Sequence, residues 1–230
     1  MSIFHDATMT CSKCGQETVI ERSSSVNADV RPDLRAAILD GSFQATDCPK
    51  CGERLRLPPH LTFVNFQHDT WIAVEPADQI EDWDAIEDKI LPVYDRSFGS
   101  GAPKLVRDMS AQVRPRLVFG WPALREKLIA KDLGLDDVTL ELLKMAVMRN
   151  VNKPPISDET ELRLAGGDEK ALKLIWYHQV SEQEMAVLDV PRSAYDDVVE
   201  DADAWAPVRE KLEGVFLVDL RRFIAGHATA

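Results

Sequence analysis

The sequence predicts an α+β fold, with short β-hairpins first, helices in the middle, and three strands followed by helices at the end. Three patterns support this prediction. Two cysteine-containing turns each lie between strand-like segments, apolar residues form short runs of five or six, and several later segments place apolar residues at helical spacing. The chain has 230 residues, of which 45% are hydrophobic and 29% charged. It is therefore long enough to bury a sizeable core.

The first sixty residues predict two strand–turn–strand units with a short helix between them. Residues 8–22 form the first unit and residues 43–57 the second, each with a glycine-containing turn at its centre. The helix covers residues 32–40, because Pro32 suits the first helical turn and Gly41 suits the position just after the last one.

Two apolar strands, LTFVNF and TWIAV, follow and predict a hairpin joined at residues 67–69. The composition then changes, since residues 75–95 carry eight acidic residues and one lysine. This segment predicts an amphipathic acidic helix or a solvated face. Further helices are expected at 104–113, 122–132 and 137–149.

The segment NVNKPPISDET, at residues 150–160, predicts a linker. We therefore place the domain boundaries at 1–150 and 151–230. Beyond the linker, LRLAGGDEKALKLIWYHQ and EMAVLDV predict three strands. The last helices are expected near 191–200, 205–213 and 216–225.

All four cysteines lie in two copies of the motif Cys-x-Lys-Cys-Gly, with 33 residues between the pairs. Two residues between cysteines allow a tight turn to direct both sulfurs to one point, and two such turns supply four ligands of a tetrahedral zinc site. The predicted zinc ligands are Cys11, Cys14, Cys48 and Cys51. Buried free thiols and a redox-active pair are the alternatives, and the repeated strand-flanked motif fits both poorly.

Four thiolates would close the coordination shell of one structural Zn²⁺ per chain, whereas a catalytic zinc keeps one position open to water. The site would carry a net charge of about −2, which Lys13, Lys50 and Arg54 are close enough in sequence to offset. Residues 8–57, which form the predicted zinc ribbon, include few large apolar residues. We therefore expect this segment to unfold without the metal while residues 160–225 stay structured.

The sequence resembles the bacterial CpXC domain over roughly residues 8–135. The resemblance rests on the paired Cys-x-x-Cys-Gly turns, Val-Asn at 26–27, Pro-x-Leu at 32–34, Leu-Asp-Gly at 39–41, and the apolar hairpin that follows the second turn. The second motif is Cys-Pro-Lys-Cys, whereas the first has Ser12 where proline could stand, which leaves the ligands unaffected. The resemblance implies a zinc-binding domain without specifying an activity.

The fold class that emerges is a zinc ribbon with an apolar β-hairpin and helices, followed by a C-terminal α+β part of three strands plus helices. The formal net charge is −12. Residues 1–115 hold 12 basic and 18 acidic residues and residues 116–230 hold 15 and 21, so each half carries −6. Such a chain is repelled by nucleic-acid phosphates and anionic lipids. With no signal peptide and no membrane span in the sequence, we expect a cytoplasmic protein.

Three functions from different classes remain. The favoured one is a non-enzymatic protein whose zinc ribbon supports contacts with another protein. The second is a nucleic-acid or RNA-polymerase-associated ribbon that binds through Lys13, Arg35, Lys50, Arg54 and Arg56. The third, an enzyme whose site is not visible in the sequence, is favoured least.

No other residue set forms a convincing site. The phosphate-binding loop and the Gly-x-Ser-x-Gly motif are absent, and the carboxylates of residues 81–88 fit a solvated face. The histidines are expected at surface or half-buried positions: His5, His60, His68, His178 and His227. Among them, His60 follows two prolines near the second turn and is a candidate to support the metal ligands.

Overall fold

The computed structural model describes residues 3–151, 155, 159–178 and 183–223. The strands in these residues are β1 (Phe4–Thr10), β2 (Glu17–Ser23), β3 (Ser25–Asn27), β4 (Ala45–Asp47), β5 (Arg54–Arg56), β6 (Leu61–Asn65), β7 (Thr70–Glu75), β8 (Arg114–Phe119), β9 (Thr160–Gly167), β10 (Ala171–His178) and β11 (Gln183–Pro191). The α-helices are α1 (Pro32–Asp40), α2 (Trp83–Ser97), α3 (Lys104–Met109), α4 (Trp121–Asp132), α5 (Asp137–Asn150), α6 (Arg192–Glu200) and α7 (Ala202–Leu212). Runs of strands and runs of helices follow one another along the chain, and most of the paired strands are antiparallel, which confirms the α+β class.

The first part contains the two hairpins and the helix that the sequence predicts. Strands β1 and β2 pair antiparallel, as do β4 and β5, so each cysteine turn joins two paired strands. Helix α1 begins with Pro32 and is followed by Gly41, whose φ of 81° is left-handed. The N–H of Gly41 donates to Ile38 O. A glycine is favoured at this position because other residues adopt that conformation at a cost.

A four-stranded sheet in the order β3-β6-β7-β8 forms the centre of the molecule. The predicted apolar hairpin is its middle, since β6 and β7 pair antiparallel with Phe63 opposite Ile72. Helices α1 and α4 cover one face through Ile38, Trp121 and Leu124. Helix α2, the predicted acidic helix, contributes partly buried apolar side chains to the other face.

Strand β8 was not predicted. The sequence predicts a helix at 104–113, but α3 ends at Met109 and the chain then forms the sheet edge beside β7. Residues Leu117 to Phe119 are buried on both sides of the sheet. A short apolar run of this kind shows no alternation, so it cannot be distinguished from a helix by pattern alone.

The three predicted C-terminal strands are present as an antiparallel sheet in the order β11-β10-β9. Helices α5, α6 and α7 pack on one face, which holds Leu164, Leu174 and Trp176. The same core includes Leu140 and Leu143 of α5. The domain boundary at residue 150 stays a prediction, although side chains from before this residue help to form the core of the part after it.

The prediction of a helix at 216–225 is wrong in the described residues. Phe216 to Asp219 are irregular, and only Leu220–Phe223 form a 3-10 helix; residues 224 and 225 lie outside the description. We call residues 215–223 the C-terminal strap. Phe216 O accepts a hydrogen bond from Leu117 N on β8 at 2.9 Å, and Phe216 packs on the central sheet while Val218 packs in the C-terminal core. The apolar residues therefore serve two cores, not one helix face.

A buried network of charges joins α4, α5, β9 and the strap. The side chains of Glu126, Lys144 and Arg163 are at most 3% exposed. Arg163 contacts Glu126 at 2.8 Å and Asp219 at 2.7 Å, and Lys144 contacts Glu126 at 3.0 Å. Glu126 also accepts the backbone N–H of Leu164 at 2.8 Å. Such groups tolerate burial only as a complete set, because removing one leaves an uncompensated charge.

We expect Glu126→Gln to lower the free energy of unfolding by about 3–5 kcal/mol, because the buried cations of Lys144 and Arg163 lose a shared counter-ion. Urea denaturation followed by circular dichroism measures the change. The matched control is Asp132→Asn, which removes a half-exposed partner of Arg35 and should cost at most about 1 kcal/mol. Equal effects of the two substitutions would contradict the assigned importance of the network.

Glu141 gives the network a pH dependence. Burial is the main reason why the pKa of Glu141 rises from its usual value near 4.5 to about 7; Lys144 and Lys127 lower this pKa, whereas repulsion by Asp219 and Glu126 raises it. Because this pKa is higher in the folded protein than in the unfolded chain, Glu141 takes up a proton on folding. Its favourable contribution is complete below about pH 4.5 and is lost as the pH rises through about 7.

We therefore expect Glu141→Gln to flatten the stability profile of the protein between pH 5 and 8. The wild-type chain should lose on the order of 1–3 kcal/mol over this interval relative to the variant. Urea titrations of both proteins at each pH give the difference, in which contributions from all other groups cancel. Parallel profiles would show that Glu141 is ionised throughout.

Candidate metal centre

The first cysteine turn has a backbone that only a glycine adopts easily. Gly15 has a φ of 73°, and its N–H donates to Cys11 O at 2.9 Å. The N–H of Cys11 donates to Gln16 O at 2.9 Å, which closes the turn where β1 ends and β2 begins. No atom outside the turn lies within 4 Å of the position that a Cβ of Gly15 would occupy. Backbone conformation therefore explains this glycine, and crowding does not.

The second turn repeats the first. Gly52 has a φ of 72° and donates its N–H to Cys48 O at 2.9 Å, while Cys48 N donates to Glu53 O at 2.8 Å. The same hydrogen bonds therefore hold both turns, and each presents its two thiols on one side. This is the geometric reason for the repeated motif.

The two turns bring all four predicted ligands together. Cys11 Sγ lies 3.6 Å from Cys51 Sγ, Cys14 Sγ lies 3.6 Å from Cys48 Sγ, and the four sulfurs are all within 4.8 Å of one another. A disulfide would need about 2.05 Å, and the cysteines are free. Metal–sulfur bonds of about 2.3 Å in a tetrahedral site place the sulfurs about 3.8 Å apart. The cluster fits one metal ion.

The site is closed towards the interior of the ribbon. Cys11 and Cys48 are 1% and 2% exposed, and they pack against the buried side chains of Ile20, Leu55 and Leu57. Cys14 and Cys51 are partly exposed and complete the cluster on its outer side. The apolar packing is small, so the cysteines make up a large share of the ribbon core.

The thiols influence one another strongly. Burial raises the pKa of Cys48, but the backbone N–H groups of Lys50 and Cys51 and the thiols of Cys14 and Cys51 bring it down to about 6. The backbone N–H of Glu53 lowers the pKa of Cys51, whereas burial and the three neighbouring thiols raise it to about 12. Four thiolates this close repel one another, and a bound cation removes that repulsion. Metal binding by this set is therefore coupled to the release of protons.

Two cations near the cysteines form ion pairs. Lys13 Nζ lies 3.1 Å from Glu53 Oε2 and links the two turns, while Arg54 pairs with Asp47 at 3.1 Å. Both pairs are exposed, so each adds little to stability. Their charge towards the cysteines is partly cancelled by these carboxylates.

The histidines are not ligands in the described part of the chain. His60 Nδ1 contacts Glu75 and not a cysteine, so this contact does not support the predicted role of His60 beside the ligands. His5 lies on β1, His68 in a 3-10 helix and His178 on β10; His227 lies outside the described residues. Among the residues described, the four cysteines form the only group of three or more side chains close enough to bind one metal ion.

A charged cavity of about 260 Å³ lies where β7 and β8 begin, beside α4 and the start of α5. Arg116 Nε and Lys127 Nζ contact Asp137 Oδ2 at 2.7 and 3.0 Å, and despite burial these cations hold the pKa of Asp137 well below its usual range. Lys127 also donates to Val218 O at 2.7 Å. These groups attach the strap to α5, and no local motif could reveal them because they are distant in sequence.

Comparisons with known proteins add one match. A family model described as CpXC protein matches residues 9–144, which is more than half of the chain and includes every cysteine. Neither the curated proteins nor the solved structures that were compared with the chain give a match. Among the described residues, no helix is both long and apolar enough to cross a membrane.

The packing of α1 reduces the part of residues 8–57 whose folding should depend on the metal. Ile38 of α1 is fully buried in the core of the central sheet, so α1 has a core that does not include the cysteines. We expect chelation of the metal to release the amide protection of β1, β2, β4 and β5 while α1 and β9–β11 stay protected. Zinc peptides of this size gain about 10–16 kcal/mol from the metal. Hydrogen exchange with and without chelator measures this, and uniform loss along the chain would contradict it.

Proposed function

This chain belongs to the CpXC family, and from that premise we propose that it is a non-enzymatic, cytoplasmic zinc protein whose four-cysteine ribbon is structural and supports contacts with another protein. The observation that carries the proposal is the set of four sulfurs within 4.8 Å of one another. All four come from the chain itself.

Zinc is the metal that this donor set favours. Four thiolates in a tetrahedral arrangement select zinc or an iron–sulfur centre, and the separations of 3.6 Å between paired sulfurs match a single ion. Paired turns between strands are the usual frame of structural zinc. A reducing compartment keeps such thiols available, which supports the cytoplasm.

The closed ligand set supports a structural role over a catalytic one. Zinc catalysis needs a coordination position for water or substrate. Here four cysteines would fill all positions, and Cys11 and Cys48 are buried. His60, the nearest candidate for a supporting group, contacts Glu75 instead. The site can therefore hold the ribbon together without offering a reactive centre.

The ribbon surface gives the nucleic-acid alternative little support. The exposed face of the β1–β2 hairpin places Asp6 opposite Glu21 and Thr10 opposite Glu17. The carboxylates of Asp6, Glu17 and Glu21 are therefore exposed on this face and would repel the phosphates of a nucleic acid. The cations proposed for phosphate contacts are mostly engaged: Lys13, Arg35 and Arg54 form ion pairs, and Arg56 lies over the ring of Trp121.

Exposed apolar side chains beside the ribbon support a protein partner. An open cleft separates β2 from α1, and Phe4, Val19 and Leu34 line it. Val19 is 60% exposed on the hairpin, and Val30 is 70% exposed in the loop before α1. Apolar side chains at the surface suit protein contacts better than contacts with nucleic acid.

We expect the purified protein to contain one zinc ion per chain and Cys48→Ser to lose it, because a three-thiolate set binds less tightly. The matched control is Ser12→Ala, which alters the first turn but leaves all ligands in place and should keep full zinc content. Elemental analysis of protein prepared under reducing, zinc-replete conditions gives the stoichiometry. Zinc-free wild-type protein, or full occupancy in Cys48→Ser, would contradict the assignment.

The same zinc-loaded protein separates the two partner classes. Fluorescence anisotropy at physiological salt should show no sub-micromolar binding to duplex DNA or to single-stranded RNA. Affinity capture from the native host should retain a protein that nuclease treatment does not release. Tight binding to nucleic acid with a steep salt dependence would favour the second function instead.

A further inference from the structure

A second apolar surface lies in the C-terminal part, far along the chain from the cysteines. A groove of about 480 Å³ runs between α5, β11, α6 and α7. Its apolar lining includes Leu143, Val147, Leu188, Val190, Val198 and Trp205. Grooves of this volume are large enough to receive several side chains of a bound segment.

The rim of this groove is acidic. Asp197 and Asp201 line it and are exposed. Asp189 borders the groove through β11 and is also exposed, but its side chain lies on the other face of the sheet, opposite Lys173, because Leu188 and Val190 face the core. Within the described residues none of the three side chains takes part in a salt bridge or a hydrogen bond, so their charges face solvent. A segment that fills the groove therefore meets an apolar floor with two carboxylates at its rim, and Asp189 adds a third negative charge on the other face of β11. Cationic side chains would match these charges.

Strand β11 beside the groove has an open edge. It pairs with β10 and with no other strand in the part of the chain that the structure describes. The N–H of Arg192 donates to Lys170 O at 2.8 Å, next to the pair Ala171–Pro191. Since N–H groups alternate between the two edges of a strand, those of Val187 and Asp189 are directed to the open edge. An edge of this kind is a template for another strand.

We propose that β11 and the groove bind an extended segment of a partner protein in which apolar residues alternate with Lys or Arg. The segment adds as a fourth strand beside β11 and places alternate apolar side chains in the groove, while the cations between them lie on the other face of the sheet beside Asp189. This proposal rests on the protein-binding function proposed above and assigns a surface to it. A second copy of the chain fits less well, because pairing two β11 strands would bring Glu184 and Asp189 of both copies together.

Selection from a displayed library of random 12-residue peptides, with the full-length zinc-loaded protein as bait, tests the proposal. Enriched peptides should alternate apolar with basic residues. Their affinity, measured by fluorescence anisotropy, should fall at least tenfold in Val187→Pro, which removes an outward N–H but leaves the β10 hydrogen bonds in place. The matched control is Val187→Ala, which keeps the N–H. The triple change D189N/D197N/D201N should also weaken binding at least tenfold and reduce its salt dependence.

Four outcomes would overturn the site. These are the absence of any enriched peptide, enriched peptides without basic residues, affinity unchanged in Val187→Pro with an unchanged melting temperature, and self-association that Val187→Pro abolishes. Binding of peptides only by a chain that ends at residue 223 would identify the protein's own last residues as the occupant and would also overturn it. If the host partner is still captured by Val187→Pro, this surface is wrong but the protein-binding function stands.

Discussion

The two halves of the molecule depend on one buried carboxylate. Glu126 lies on α4, whose Trp121 and Leu124 belong to the core of the central sheet. The same helix directs Glu126 to Arg163 and to the backbone N–H of Leu164 on β9. One helix therefore supplies apolar packing to one sheet and charge compensation to the next. Because these charges are buried, only one arrangement of the two sheets and the strap pairs every cation with a carboxylate. Any other arrangement would leave a buried cation without a partner.

The ribbon is attached to this frame by a short set of contacts. Trp121 Nε1 donates to Leu57 O at 2.9 Å, just after the second cysteine hairpin, and the guanidinium of Arg56 lies 4.2 Å from the ring centre of Trp121. The hairpins themselves bury few large apolar side chains. The contacts of Trp121 position the hairpins, but the internal order of the hairpins depends on the interactions that hold the four thiols together. A metal at the cysteines would therefore order the hairpins internally, whereas Trp121 of α4 attaches them to the rest of the molecule.

The chemistry of the chain is divided between its ends. The cysteine cluster belongs to the first part, where a bound ion would replace the core that the hairpins lack. The acidic groove and the open edge of β11 belong to the C-terminal part, where packing of α5, α6 and α7 on the sheet leaves a surface uncovered. In the charged cavity, Arg116 and Lys127 both contact Asp137, so these buried charges compensate one another.

Features that depend on neighbouring residues could be predicted from the sequence. The ligand spacing, the glycine after each second cysteine, helix α1 and the β6–β7 hairpin all follow from turn geometry, capping and short-range periodicity. Other features depend on tertiary contacts. Strand β8 forms because β7 provides its hydrogen-bonding partner, and the strap is irregular because Phe216 and Val218 pack in two different cores. The charge network around Arg163 also joins residues 37 and 56 positions apart. Local pattern cannot encode such contacts, since their energy arises only once distant segments exclude water together.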